Sequence, residues 1–192
     1  SVAIRNKNFR IANIVATAFP YLCNVADTSG HTPLHCLAGI KHIKDYFLDL
    51  LDCLISNMSD SATCVTKGNK YTVLHIAIQS GNFEIAKILG DKFPILTGIT
   101  DAYGQTPLHW LATSRQIKEC PVDLLEGLID IMSNSATYKT SSDKYTALHL
   151  ALQLQNYEMA KILIENFPVL GDIVDTHGQT PLHWVSGANL GA

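Results

Sequence analysis

No stretch of this 192-residue chain is apolar for long enough to cross a bilayer, and no signal peptide opens it. Runs of lysine or arginine are missing as well. With a net charge of −3 and no basic cluster to track phosphates, nucleic acid is not an expected ligand. Cysteine is sparse and unpatterned: Cys23, Cys36, Cys53, Cys64 and Cys120 are odd in number and show no CxxC spacing, which excludes a repeated disulfide framework. They read as reduced thiols, and the expected compartment is cytoplasmic or nuclear. Phosphate-cradling glycine loops, a nucleophile elbow and closely spaced metal ligands are all absent, so neither a cofactor, nor a metal, nor an enzymatic activity is expected. Low-complexity segments and interdomain linkers are lacking too.

What the chain does have is a phrase repeated five times: Thr32-Pro33-Leu34-His35, Thr72-Val73-Leu74-His75, Thr106-Pro107-Leu108-His109, Thr146-Ala147-Leu148-His149 and Thr180-Pro181-Leu182-His183. The intervals are 40, 34, 40 and 34 residues, so two unlike units make a period of 74. Threonine caps a helix by accepting from an orphan N–H, and proline at the first helical position has no N–H to lose. Each phrase therefore predicts a helix start, with leucine turned inward and histidine free to tie the turn to a neighbouring unit. Three copies carry Asp-x-x-Gly upstream, at 27–30, 101–104 and 175–178, which predicts a tight turn.

Downstream the period becomes helical. Asn82-Phe83-Glu84-Ile85-Ala86-Lys87-Ile88-Leu89 and its copy at 156–163 place apolar residues at i, i+2, i+3, i+5 and i+6, the stripe of an outer amphipathic helix. Phe-Pro at 19–20, 93–94 and 167–168 then ends it, and a connecting loop is expected there. In the long units the outer helices are expected at about 44–58 and 122–132, and the extra six residues fall in two places. One insertion precedes the outer helix, at 41–44 and 116–121. The other lies in the following loop, before 67–71 and 141–145, and lengthens alternate fingers.

A turn, Thr-Pro-Leu-His and a helix pair at about this spacing resemble the ankyrin repeat, over nearly the whole chain. The resemblance implies an all-α solenoid of stacked helix-turn-helix units with hairpin-like finger loops. One domain over 1–192 is expected, with units at about 1–31, 32–71, 72–105, 106–145, 146–179 and a partial one at 180–192. Both ends read as cut, so a fragment of a longer protein is expected. The Phe-Pro pairs depart from the family's usual Gly-Ala-Asp.

Function follows from the resemblance: a non-enzymatic protein-interaction module, whether scaffold, adaptor or inhibitor, gripping a partner protein with its concave face and fingers as a monomer. An inhibitor resembling the IκB group, a cytoplasmic ankyrin domain of a membrane channel or other membrane protein, and a host-targeting viral or bacterial effector with activity in a missing domain are the open contexts. Residues that vary while the repeat stays constant are free to specify a partner. At the finger tips these are Tyr103 and His177, with Ser29; on the inner helices they are Lys41, Gln79, Arg115, Gln153 and Leu154.

Other side chains point to architecture. The phrase histidines are a whole unit apart, too far for shared ligation, and His31, His42 and His177 are expected in loops. A triad of Asp101, His109 and Ser114 or Cys120 can be drawn, but the Asp and His recur as Asp27 with His35 and Asp175 with His183, whereas an active site is unique within a fold. Trp110 and Trp184 share their slot with Ile76 and Leu150, which predicts packing.

Overall fold

All five phrases start a helix. The computed structural model describes residues 2–41, 47–58 and 62–187, and among them there is no β-strand. Five inner helices begin at the phrases: α3 (Pro33–Ala38), α5 (Val73–Gln79), α7 (Pro107–Thr113), α9 (Ala147–Gln153) and α11 (Pro181–Gly187). The outer helices are α2 (Phe9–Ala18), α4 (Leu48–Ser56), α6 (Phe83–Lys92), α8 (Val122–Ile131) and α10 (Tyr157–Asn166). A short α1 (Val2–Arg5) stands in the inner-helix register ahead of α2. Each inner helix packs on the next, from α3 to α11, while α2 lies on α4 and α6 on α8. The result is a stack of helix pairs, an all-α ankyrin-type solenoid.

The core is one continuous strip. Leu34, Leu74, Leu108 and Leu148 are buried, joined by outer-helix residues such as Leu50, Leu54, Leu89, Leu128 and Leu163. Glycine lets α6 and α8 approach closely: a Cβ at Gly90 would run into Ile131, and one at Gly127 into Lys87.

The phrase works through its histidine. In every copy the threonine N–H donates to the imidazole Nδ1, at 3.2 to 3.3 Å. A nitrogen that accepts carries no proton, so the proton sits on Nε2. There it faces the next unit: His75 donates to the Gln105 carbonyl at 3.1 Å, His109 to Tyr145 at 3.1 Å and His149 to Gln179 at 3.4 Å. His35 Nε2 is buried without such a bond.

Outer-helix starts add a second tie. Asn82 Nδ2 donates to the Ala38 and Ile40 carbonyls, and Asn156 Nδ2 to Ala112, so each asparagine caps the end of the preceding unit's inner helix.

Two sequence expectations need correction. The segments after Phe-Pro are not irregular loops but single 3₁₀ turns, Pro20–Asn24, Pro94–Gly98 and Pro168–Asp172. Proline stops the α-helix and, with its φ fixed, starts the tighter turn where its missing N–H costs nothing. The first insertion likewise forms a 3₁₀ turn, Arg115–Glu119, before α8. In the other long unit α4 begins at Leu48 rather than near 44, and His42, Ile43 and Lys44 lie outside the described residues.

Candidate functional site

Three of the fingers are turns closed on an aspartate. Asp101 Oδ1 accepts from the N–H groups of Tyr103 and Gln105, at 2.8 and 2.9 Å, and Gly104 N bonds back to the Asp101 carbonyl. Asp27 and Asp175 repeat the pattern. Successive fingers are then stitched by backbone bonds: Lys67 N to Ser29 O, Ala102 N to Asn69 O, Ser141 N to Tyr103 O and Thr176 N to Asp143 O, at 2.8 to 3.1 Å. The alternate fingers are built differently, on Thr66 and Thr140. Each threonine Oγ1 accepts from the tyrosine N–H at 3.0 Å, with Lys70 and Lys144 at positive φ.

Trp110 and Trp184 close the corner between finger and inner helix. Their Nε1 groups donate to Asp101 Oδ2 and Asp175 Oδ2 at 3.1 Å, and their rings meet Tyr71 and Tyr145 edge-on at 4.7 and 4.8 Å. Half-buried, they brace the frame, as the slot they share with Ile76 and Leu150 suggested. Where Cys36 replaces tryptophan, Asp27 Oδ2 instead takes Arg5 Nη2 at 2.7 Å. The recurring nine-residue Asp-to-Trp spacing was the available sign of this bond in the sequence.

Charge at these positions is controlled by surroundings. Burial holds the imidazoles of His35, His75, His109 and His149 below their ordinary titration range, His35 and His109 down to about 4. The Asp27 carboxyl is held low by the N–H groups of His31 and Ser29. Burial works to raise Asp175, but bonds from Gln179, His177 and Trp184 outweigh it and leave it lowered. His109 has both nitrogens engaged, Nδ1 by Thr106 and Nε2 by Tyr145, so it has no free base to offer a nucleophile at Ser114 or Cys120. Among the described residues no group of three His, Cys, Asp or Glu is placed to hold a metal, and no helix is long and apolar enough to cross a membrane.

The partner-contact positions distribute as follows. Tyr103 and His177 are exposed at the finger tips. Gln79 and Gln153 are the exposed last residues of α5 and α9, and Leu154 is the exposed C-cap of α9. Lys41 and Arg115 are not on inner helices: Lys41 follows the C-cap of α3 by two residues, and Arg115 opens the 3₁₀ turn after α7. Gln79 and Arg115 line one depression of about 380 Å³ together with Gln105, Trp110 and Gln116. Arg115 and Leu154 line a second, of about 510 Å³. Lys41 and Glu119 border a further hollow, which adjoins the first through Gln116. The finger-tip pair and Gln153 lie outside these hollows. Gln116 and Lys118, which sequence comparison of the copies did not single out, share the walls because the 3₁₀ turn carries them there.

Comparison with known proteins gives the same architecture. The chain is similar to inversin from Canis lupus familiaris, 32% identical over 161 residues, which are 83% of this chain and 14% of that protein. Human inversin matches at 31% over the same length. The nuclear factor NF-kappa-B p105 subunit of Gallus gallus is 28% identical over 169 residues, 86% of this chain and 16% of the relative. The chain thus spans only a small part of each. The family model for ankyrin repeats in three copies matches residues 1–90, 40–135 and 117–190. Repeats of this kind mediate protein–protein interaction. With the helix pairs, stitched fingers and bracing histidines in register along the stack, the chain belongs to the ankyrin-repeat family.

Proposed function

We propose that this segment is a non-enzymatic module that holds a partner protein against its concave face and finger tips. Tyr103, His177, Lys41, Gln79, Arg115, Gln153 and Leu154 are the proposed contacts. The observation that carries the reading is the contrast between frame and surface. Threonine and histidine keep one bonding pattern from copy to copy, while the exposed side chains between them change. A surface held by backbone ties loses little ordering entropy on binding. The module acts as a scaffold, adaptor or inhibitor within the cytoplasm or nucleus, as one domain of a longer protein.

The test is photo-crosslinking. A photoreactive phenylalanine at Tyr103, Arg115 or Gln153 should yield partner adducts from cell extract, and the same group at Lys92 on α6 should not. Adducts from the Lys92 position alone would place the binding face on the outer helices and refute the proposal.

A further inference from the structure

We infer that Cys23 and Cys53 join in a reversible disulfide, a redox-sensitive clamp between the first two units of the stack.

Two elements bring the pair together. Cys23 sits in the 3₁₀ turn after α2, and Cys53 in the last turn of α4. The outer helices α2 and α4 pack on each other, and the turn is tied to the end of α4 where Asn24 Nδ2 donates to the Asn57 carbonyl at 2.8 Å. Cys53 Sγ lies 3.9 Å from Thr17 Oγ1 on α2, accepts from Asn57 Nδ2 at 3.7 Å and is in hydrogen-bond contact with the Cys23 thiol. Burial, and after it the Cys53 thiol alongside, pushes the Cys23 thiol up, so Cys23 is protonated and inert at rest. Cys53 is half-buried, whereas Cys23 is 1% exposed. The result is an outer thiol open to a small oxidant with an inner thiol held against it, the arrangement of an attacking and a resolving cysteine.

The repeat frame does not ask for sulfur at either place. At the equivalent interface of α6 with α8, 74 residues on, the two positions are Thr97, whose hydroxyl donates to the Pro94 carbonyl, and Gly127. Both depart to cysteine together where α2 meets α4. A hollow of about 280 Å³ beside Cys23, walled by Val15, Ala16, Leu50 and Leu54, leaves room for the elements to adjust. That room is needed as the sulfurs close to a bond of about 2.05 Å.

The oxidant is a low-molecular-weight disulfide such as oxidised glutathione. The Cys53 thiolate attacks one of its sulfurs, which forms a mixed disulfide and expels one glutathione thiolate. Cys23, on losing its proton, then attacks Cys53 Sγ and breaks the mixed bond, expelling the second. Two electrons pass from the cysteine pair to glutathione, and the two cysteine protons end on the released thiols. In a reducing compartment such a bond is transient. While present, it fixes the first unit, which has a neighbour on one side only within the described stack, to the second.

The test is to equilibrate the protein in glutathione buffers of graded ratio, quench with acid and map the peptides by mass spectrometry. As the oxidised form comes to exceed the reduced, the chain should lose about 2 Da, two hydrogens, with the link between Cys23 and Cys53, and dithiothreitol should reverse it. The linked protein should melt roughly 5 °C higher, the effect of closing a loop of about 30 residues in a domain of this size. Cys53→Ser should abolish both changes, Cys23→Ser should stall at a glutathione adduct on Cys53, and Cys64→Ser or Cys120→Ser should alter neither. In urea, which parts the two elements, the pair should lose its preference over other pairings. A glutathione adduct persisting on Cys53 of the unsubstituted chain, a preferred bond to Cys36, Cys64 or Cys120, the same preference in urea, or no bond at the most oxidising ratio would each overturn the inference.

Discussion

A phrase histidine that accepts from a backbone N–H at Nδ1 and donates to a carbonyl from Nε2 can only be neutral. Protonation would set two N–H groups against each other inside the stack, and burial already disfavours the charge. His35 and His109 are held near 4 against an ordinary 6.5, so between these values the unfolded chain binds more protons than the folded one. Their contribution is complete above pH 6.5 and is lost as pH falls toward 4, by roughly 3 kcal/mol for each at the lower limit. Urea midpoints should therefore be level above neutrality and drop steeply between pH 6.5 and 4.5, before the carboxylates titrate; a flat profile across that interval would contradict the assigned tautomer. Gln116 Oε1, lodged against Gly81, is a buried acceptor without a partner among the described residues. Gln116→Met removes an unsatisfied acceptor at nearly constant volume and should raise stability by about 1 kcal/mol, read from chemical denaturation. The histidine role was legible because the phrase repeats. The state of Gln116 was not, since it depends on a glycine 35 positions earlier being brought against it.

At the level of elements, the fingers show how one residue serves two neighbours. Gly104 and Gly178 both have positive φ, 77° and 72°, and both follow the Asp-x-x-Gly pattern. Only Gly104 has a finger packed on it. A Cβ there would stand 2.6 Å from the Ser141 backbone nitrogen, whereas one at Gly178 meets nothing within 4 Å among the described residues. Gly178→Ala should cost about 1 kcal/mol for the strained backbone alone, and Gly104→Ala at least twice that, with loss of exchange protection at the Ser141 amide. Similar costs for the two would mean that the fingers do not stack in solution as described. The turn itself could be read from aspartate and glycine, but the stitching could not, because the partner backbone carries no side-chain signal. The 3₁₀ turn at Arg115–Glu119 escaped for a related reason: an insertion compared between copies shows its length and not its shape.

On the scale of the whole molecule, periodicity revealed the solenoid and left its surface hollows hidden. Gln79 and Arg115 line one depression because α5 and α7 pack side by side. The same neighbour dependence governs stability, since each unit buries its apolar face only against the next. Leu108 and Leu182 fill the same slot of the phrase, yet Leu108 is fully buried between α5 and α9 while Leu182 is 74% exposed. Leu108→Ala should cost on the order of 2–5 kcal/mol, the range for truncating a buried leucine with its cavity. Leu182→Ala should cost well under 1 kcal/mol, because little apolar surface leaves the interior. Differential scanning calorimetry on the two variants decides the matter. Equal shifts in melting temperature would show that position in the stack does not set a repeat's contribution, and the nearest-neighbour description of this array would fail.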